Sequence, residues 1–139
     1  MIRIERAALV RMHAHAARGF PHEVVGVLAG DRASNTVTRV ERLVNERADR
    51  THDRYEVGGL LLMRAEQRLN RAGLEVVGYF HSHPDHPARY SDFDRDHALP
   101  NMSYVIVSVL GGGVADTLSW RLRDDRSAMD AEDIEILES

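Results

Sequence analysis

The chain has 139 residues, 43% of them hydrophobic, which suits one domain spanning 1–139 with one sizeable core. Its formal net charge is −4, and from Asp124 to Ser139 seven acids face only Arg126, so that end carries −6 and the remainder +2; nucleic-acid binding gets no support, and the acidic end reads as a solvated tail. There is no cysteine, which excludes disulfides, a cysteine nucleophile and a thiolate metal site, so any metal must be held by carboxylates and the eight histidines.

No apolar run approaches the roughly 18 residues of a membrane span. Met1-Ile2-Arg3-Ile4-Glu5 lacks the apolar stretch and cleavage site of a signal peptide, so a cytoplasmic protein is expected. All 18 basic residues are Arg, so the chain offers no side-chain amine for conjugation.

Glu5 to Arg18 reads as a helix, with Leu9, Met12 and Ala16 at helical spacing and Gly19-Phe20-Pro21 ending it. Glu23 to Ala29 is β-branched and nearly all apolar after its first residue, the pattern of a strand buried on both faces. Gly30-Asp31 reads as the turn into Thr36–Leu43, an alternating hairpin partner. Asn45 to Arg54 is the most loop-like stretch. Gly58 to Ala72 reads as a second helix with Leu61, Leu62, Ala65 and Leu69 inward and Gly73 as its C-terminal cap. Leu74 to His81 is a second buried-type strand, and Pro84 to Tyr90, with two prolines, is loop. Ser91 to Leu99 reads as a short helix stopped by Pro100. Tyr104 to Leu110 is a strand, Gly111-Gly112-Gly113 a turn, Thr117 to Leu122 the returning strand and Ile134 to Leu137 a last edge strand. The mixture predicts an α+β fold, an α/β sandwich with helices flanking a curved sheet, and the short turns favour antiparallel pairing.

The chemistry concentrates in His81-Ser82-His83-Pro84 and Ser91-Asp92-Phe93-Asp94. His81 and His83 sit two apart at a strand end, so both imidazoles point to one face and can share a metal ion. Ser91 and Asp94 sit three apart at a helix start, and Asp94 can complete a His-His-Asp set. A catalytic zinc site keeps three protein ligands and an open position for water, whose pKa falls to about 7. Such a site needs a base. Glu23 fits, because its apolar neighbours raise a carboxyl pKa toward the working range. Ser91 can donate its hydroxyl to the oxyanion of a tetrahedral intermediate. Each residue also has a plainer reading. Ser91-x-x-Asp94 is by itself a helix capping box, the His-x-His pair ordinary surface, and Glu23 a solvated strand-end carboxylate. His86 and His97 are placed where they can line a cleft. Phe93, Trp120 and Tyr104 read as core. His22, next to Glu23, points elsewhere, and His13 and His15, two apart on a helix, do not face each other.

The joint pattern resembles the JAMM (MPN-plus) metallopeptidase family, whose signature is an upstream Glu, then His-x-His, seven residues and Ser-x-x-Asp; here Pro84 to Tyr90 are those seven residues. Pro21-His22-Glu23-Val24-Val25-Gly26-Val27-Leu28-Ala29-Gly30 likewise resembles the family's Pro-x-Glu-x-x-Gly-x-Leu-x-Gly segment. The resemblance spans about Ile2 to Leu122. It implies the cytidine-deaminase-like MPN architecture, one Zn2+ ion on His81, His83 and Asp94, Glu23 as general acid/base and Ser91 as oxyanion stabiliser. Many relatives carry Cys where this chain has Val25; that position is not a ligand.

Small stand-alone relatives resemble peptidases that trim β-grasp sulfur-carrier proteins after a Gly-Gly end. The resemblance therefore implies an amide bond after the C-terminal Gly-Gly of a ubiquitin-like or sulfur-carrier protein as substrate. The chain lacks room for the long insertions of deubiquitinating relatives, so polyubiquitin is not expected. Two alternatives stand beside this: a zinc amidase for a small molecule or cell-wall peptide, and a non-catalytic MPN scaffold. Retention of every ligand argues against the scaffold. His and carboxylate ligands suit several divalent ions. No membrane or nucleic-acid partner is expected, and the oligomeric state stays open.

Overall fold

The four residues after Met1 already alternate: Ile2 and Ile4 are buried while Arg3 and Glu5 are partly exposed. In the computed structural model, which describes residues 1–43 and 59–138, this makes strand β1 (Ile2–Glu5), leading directly into helix α1 (Arg6–Gly19). The loop read over 45–54 and the helix start read at Gly58 lie outside the described residues. Helix α1 buries Ala8, Met12 and Ala16, a stripe of period four, while Leu9 packs partly against the same core.

Strands β2 (Val25–Asp31) and β3 (Thr36–Leu43) form an antiparallel hairpin. The sequence placed its turn at Gly30-Asp31; both residues are in β2 instead. The turn falls at 32–35, where the Asp31 carboxylate accepts from the Ser34 hydroxyl (2.6 Å) and backbone N–H (3.1 Å), and Asn35 takes a positive φ of 53°. Helix α2 (Gly59–Arg71) buries Ala65 and Leu69 and ends at Gly73, whose φ of 80° makes it the expected cap. Strand β4 (Glu75–Pro84), helix α3 (Asp92–His97), and strands β5 (Ser103–Leu110), β6 (Gly113–Leu122), β7 (Met129–Glu132) and β8 (Ile134–Leu137) complete the described elements.

The strands form one sheet in the order β7-β6-β5-β4-β2-β3-β1-β8. It is mixed: β4 runs parallel to β5, and β1 parallel to β3 and β8. The expectation of antiparallel pairing thus holds only in part, because α3 crosses over between β4 and β5. Helix α1 covers one face, over Leu28, Val37, Phe80, Val105 and Val107. Helix α2 covers the other, over Val25, Val27 and Ala29. Burial on both faces explains the unbroken apolar run of β2. Gly26 has a packing role, since a Cβ there would collide with the Phe80 ring and the Glu41 carbonyl.

The acidic end is not a solvated extension. It forms β7 and β8, which occupy opposite edges of the sheet and are separated only by Asp133. The Asp133 carbonyl accepts from the Ile2 N–H (2.9 Å), and Glu135 and Glu138 pair with Arg3 and Arg6. The C-terminal run therefore bridges from one edge toward the other, and bulges at Val77 in β4 and Ala115 in β6 add curvature. Strands β1 and β7 escaped the sequence reading. Each has four residues, and β7 presents only one fully buried side chain, Met129.

Candidate metal centre

Strand β4 continues past the end of the apolar run. Its pairing with β5 extends through His81↔Ile106, Ser82↔Val107 and His83↔Ser108. Alternation sends the His81 and His83 rings to one face and the Ser82 side chain to the other. All three residues are buried. After the loop at 85–90, Ser91 caps α3: its Oγ accepts from the Asp94 N–H (3.1 Å), and the Asp94 carboxylate accepts from the Ser91 N–H (2.8 Å). The plainer reading of Ser91-x-x-Asp94 as a capping box is therefore correct. The same carboxylate also turns toward the two histidines.

The Nε2 atoms of His81 and His83 lie 3.1 Å apart. Asp94 Oδ1 lies 3.2 Å from His81 Nε2, and Oδ2 lies 3.3 Å from His83 Nε2. Among the described residues, these three form the one group of three or more possible ligands, with all ligand atoms within 4.8 Å of one another. His83 Nδ1 lies 2.9 Å from the Pro87 carbonyl oxygen. A carbonyl only accepts, so Nδ1 carries the proton and the neutral ring presents a lone pair at Nε2. Lone-pair atoms this close to a carboxylate need a cation among them, a proton or a metal ion. Tetrahedral bonds of about 2.0–2.1 Å put ligand atoms about 3.3 Å apart, so the donor set fits one zinc-sized ion.

The electrostatics agree. Burial alone would raise the Asp94 carboxyl pKa, but the charge and hydrogen bonds of His81, with those of His83 and the Ser91 backbone, outweigh it and hold the group far below the usual carboxylate range. Burial alone would lower the His83 pKa; the hydrogen bonds to Asp94 and the Pro87 carbonyl, with the charges of Asp94 and Glu23, overcome it and raise the pKa.

A cavity of about 350 Å³ opens beside this cluster, lined by Glu23, His83, His86, Pro87, Arg89, Tyr90, Ser91, Phe93 and Asp94. Glu23, Ser91, His83 and Asp94 thus meet on one cavity, and His81 stands behind His83. Glu23 is buried and lies two residues ahead of β2 rather than at its first position. His86 lines the cavity as expected; His97 does not. It stacks on Phe93 (ring centroids 4.0 Å apart) and reaches the Phe93 carbonyl. Phe93, read as core, is instead part of the cavity wall. Trp120 donates from Nε1 to the Ala88 carbonyl (2.9 Å) and meets the edge of Tyr90, bracing the loop that roofs the cavity. Tyr104 is buried, as read. The sequence reading passed over Pro87, Arg89 and Tyr90. The signal was available, since a seven-residue spacer between two ligand pairs must arch across the site.

The family described as prokaryotic homologs of the JAB domain matches residues 5–123. The chain is 36% identical over 94 residues to the desampylase of Haloferax volcanii, covering 67% of each chain. It is 35% identical over 108 residues to a probable TtuB-protein conjugate cleaving protease of Thermus thermophilus, covering 78% of this chain and 70% of the relative. Among solved structures, a protein from Desulfitobacterium hafniense superposes with a TM-score of 0.86 at 29% identity, over 100% of this chain and 94% of that one.

Proposed function

Because the chain belongs to the family of prokaryotic homologs of the JAB domain, we propose that it is a zinc-dependent peptidase that hydrolyses the amide bond after the C-terminal Gly-Gly of a ubiquitin-like or sulfur-carrier protein. Family membership and the His-His-Asp cluster give it the character of a JAMM-type metalloprotease. The observation that carries the proposal is the convergence of His81, His83 and Asp94 with Glu23 beside one cavity.

His81, His83 and Asp94 would hold the ion, which supplies a water acidic enough to attack at neutral pH. Glu23 takes the proton of the attacking water and returns it to the leaving amine nitrogen. Ser91 accepts the Asp94 N–H at its oxygen and so keeps its own hydroxyl hydrogen for the developing oxyanion. Pro87 fixes the His83 tautomer through Nδ1, as an outer partner of a ligating imidazole does.

The relatives support the substrate class. One is named as cleaving protein conjugates of TtuB, and the other is named a desampylase. A glycine tail, which has no side chains to accommodate, suits a cavity walled by Tyr90 and Phe93. A second reading, an amidase for a short peptide or small molecule, draws on Arg89. This guanidinium lines the same cavity and has no ion-pair partner among the described residues, which suits a free carboxylate.

Intact-mass spectrometry separates the two. The zinc-loaded protein is incubated with a β-grasp protein extended past Gly-Gly by a short peptide, and with that peptide alone. Cleavage after the second glycine of the fusion, stopped by chelator and restored by zinc, is expected. Equal cleavage of the free peptide supports the amidase, and no cleavage of either overturns the proposal.

A further inference from the structure

Ser82 stands between the two histidines and points away from them. It is fully buried, on the face covered by α1. Its backbone N–H donates to the Val24 carbonyl (2.9 Å), and its Oγ accepts from the Val24 N–H (2.8 Å). Strands β2 and β4 are antiparallel, with Val25 opposite His81, so Val24 falls opposite Ser82. In a regular antiparallel ladder, an opposing pair that shares one backbone bond shares two. The second bond would run from the Val24 N–H to the Ser82 carbonyl. Here it runs to the Ser82 hydroxyl instead.

This substitution of side chain for backbone has a location and a consequence. The ladder ends there: β2 begins at Val25, and residues 23 and 24 lie outside the strand. Val24 and, just ahead of it, Glu23 thus leave regular pairing, and Glu23 is buried and lines the cavity with His83 and Asp94. The hydroxyl thus sets where the chain leaves the sheet, and therefore where the Glu23 carboxyl can reach. Because Ser82 lies between His81 and His83 in sequence, the metal ligands and the base are tied through one residue.

We infer that Ser82 is a positioning residue that holds Glu23 over the His81–His83–Asp94 cluster by capturing the Val24 N–H. The inference rests on the role proposed for Glu23 above. Removing the hydroxyl leaves the Val24 N–H a ready alternative, the Ser82 carbonyl. The ladder then extends by one residue and draws Glu23 away, at little cost to the fold. A misplacement of about 1 Å at a reacting group can cost on the order of a hundredfold in rate.

The test compares the zinc-loaded wild type with Ser82→Ala and Ser82→Thr, using the Gly-Gly fusion as probe. Ser82→Ala is expected to lower kcat by about tenfold to a hundredfold, with KM within about twofold of wild type, an unchanged thermal midpoint and full zinc content. Ser82→Thr, which restores a hydroxyl, is expected to restore kcat. A second arm needs no substrate: the 13C backbone shifts of Glu23 and Val24, measured by NMR, are expected to move toward extended-strand values in Ser82→Ala and return in Ser82→Thr. Wild-type kcat in Ser82→Ala, or unchanged shifts at Glu23 and Val24, overturns the inference. Loss of zinc in Ser82→Ala also overturns it, since Ser82 would then serve the ligands rather than the base. If the wild type cleaves no fusion, the peptidase reading falls while the NMR arm still decides the role of Ser82.

Discussion

Ser91 and Asp94 cap each other across the first turn of α3, and the Asp94 carboxylate that closes this box also stands 3.2 and 3.3 Å from the Nε2 atoms of His81 and His83. One side chain therefore starts a helix and completes a ligand set. The two functions can be separated, because an amide keeps the cap but not the charge.

Asp94→Asn should keep the capping bond from the Ser91 N–H and lose the metal. Asp94→Ala should lose the metal and also destabilise the fold by about 0.5–2 kcal/mol, the usual cost of a lost cap. Metal content by elemental analysis, with thermal unfolding in chelator, reads both effects. Full zinc content in Asp94→Asn would remove Asp94 from the ligand set.

Glu23→Gln should leave zinc bound and lower kcat by about 10²–10⁴, the contribution of a positioned acid or base. Metal content should stay at one ion per chain. Loss of the ion in this variant would make Glu23 a ligand and contradict its assignment as base.

Ser91→Ala removes a cap and a donor together. The expected cost is about 1 kcal/mol of stability and about 10²–10³ in kcat, as for a lost oxyanion donor. Ser91→Thr keeps both groups and should recover most of each. Recovery of stability without recovery of kcat would mean that the hydroxyl acts only as a cap.

Zinc affinity should fall on acidification, and the fall should begin above the ordinary imidazole value of 6.5, because His83 holds its proton to higher pH. Asp94 stays ionised through this range and adds no such loss. The metal-free protein shows the opposite sign. A raised His83 pKa contributes stability fully present below 6.5 and lost as pH rises through the raised pKa. Chelator-competition titrations across pH 5.5–8 read the first effect. The difference in melting between wild type and His83→Gln reads the second and cancels His13 and His15, whose pKa values burial lowers.

Much of the site was legible because its parts are local. His81 and His83 share a face by strand period alone, and Ser91 and Asp94 share one by helix geometry. The relation of Glu23 to His81 was not legible, since it depends on β2 pairing with β4, Val25 with His81, far apart in the chain. The spacing allowed it, and the family resemblance supplied it. The Ser82 hydroxyl bond was hidden for the same reason. Within the fold, β2 and β5 showed as apolar runs because both of their faces are covered. β1 and β7 did not, being four residues each. The acidic end was legible only in part: charge patterning suggests a solvated tail, yet the alternation of Ile134 and Ile136 with acidic neighbours marks the edge strand at Ile134–Leu137, which is β8 beside β1.

Diffraction from crystals of the zinc-loaded protein, collected on either side of the zinc absorption edge, tests the central claim most directly. The account predicts one anomalous peak per chain, bonded to His81 Nε2, His83 Nε2 and Asp94, with its open coordination position facing the Glu23 carboxyl. A peak elsewhere, or none between His81 and His83, would contradict it.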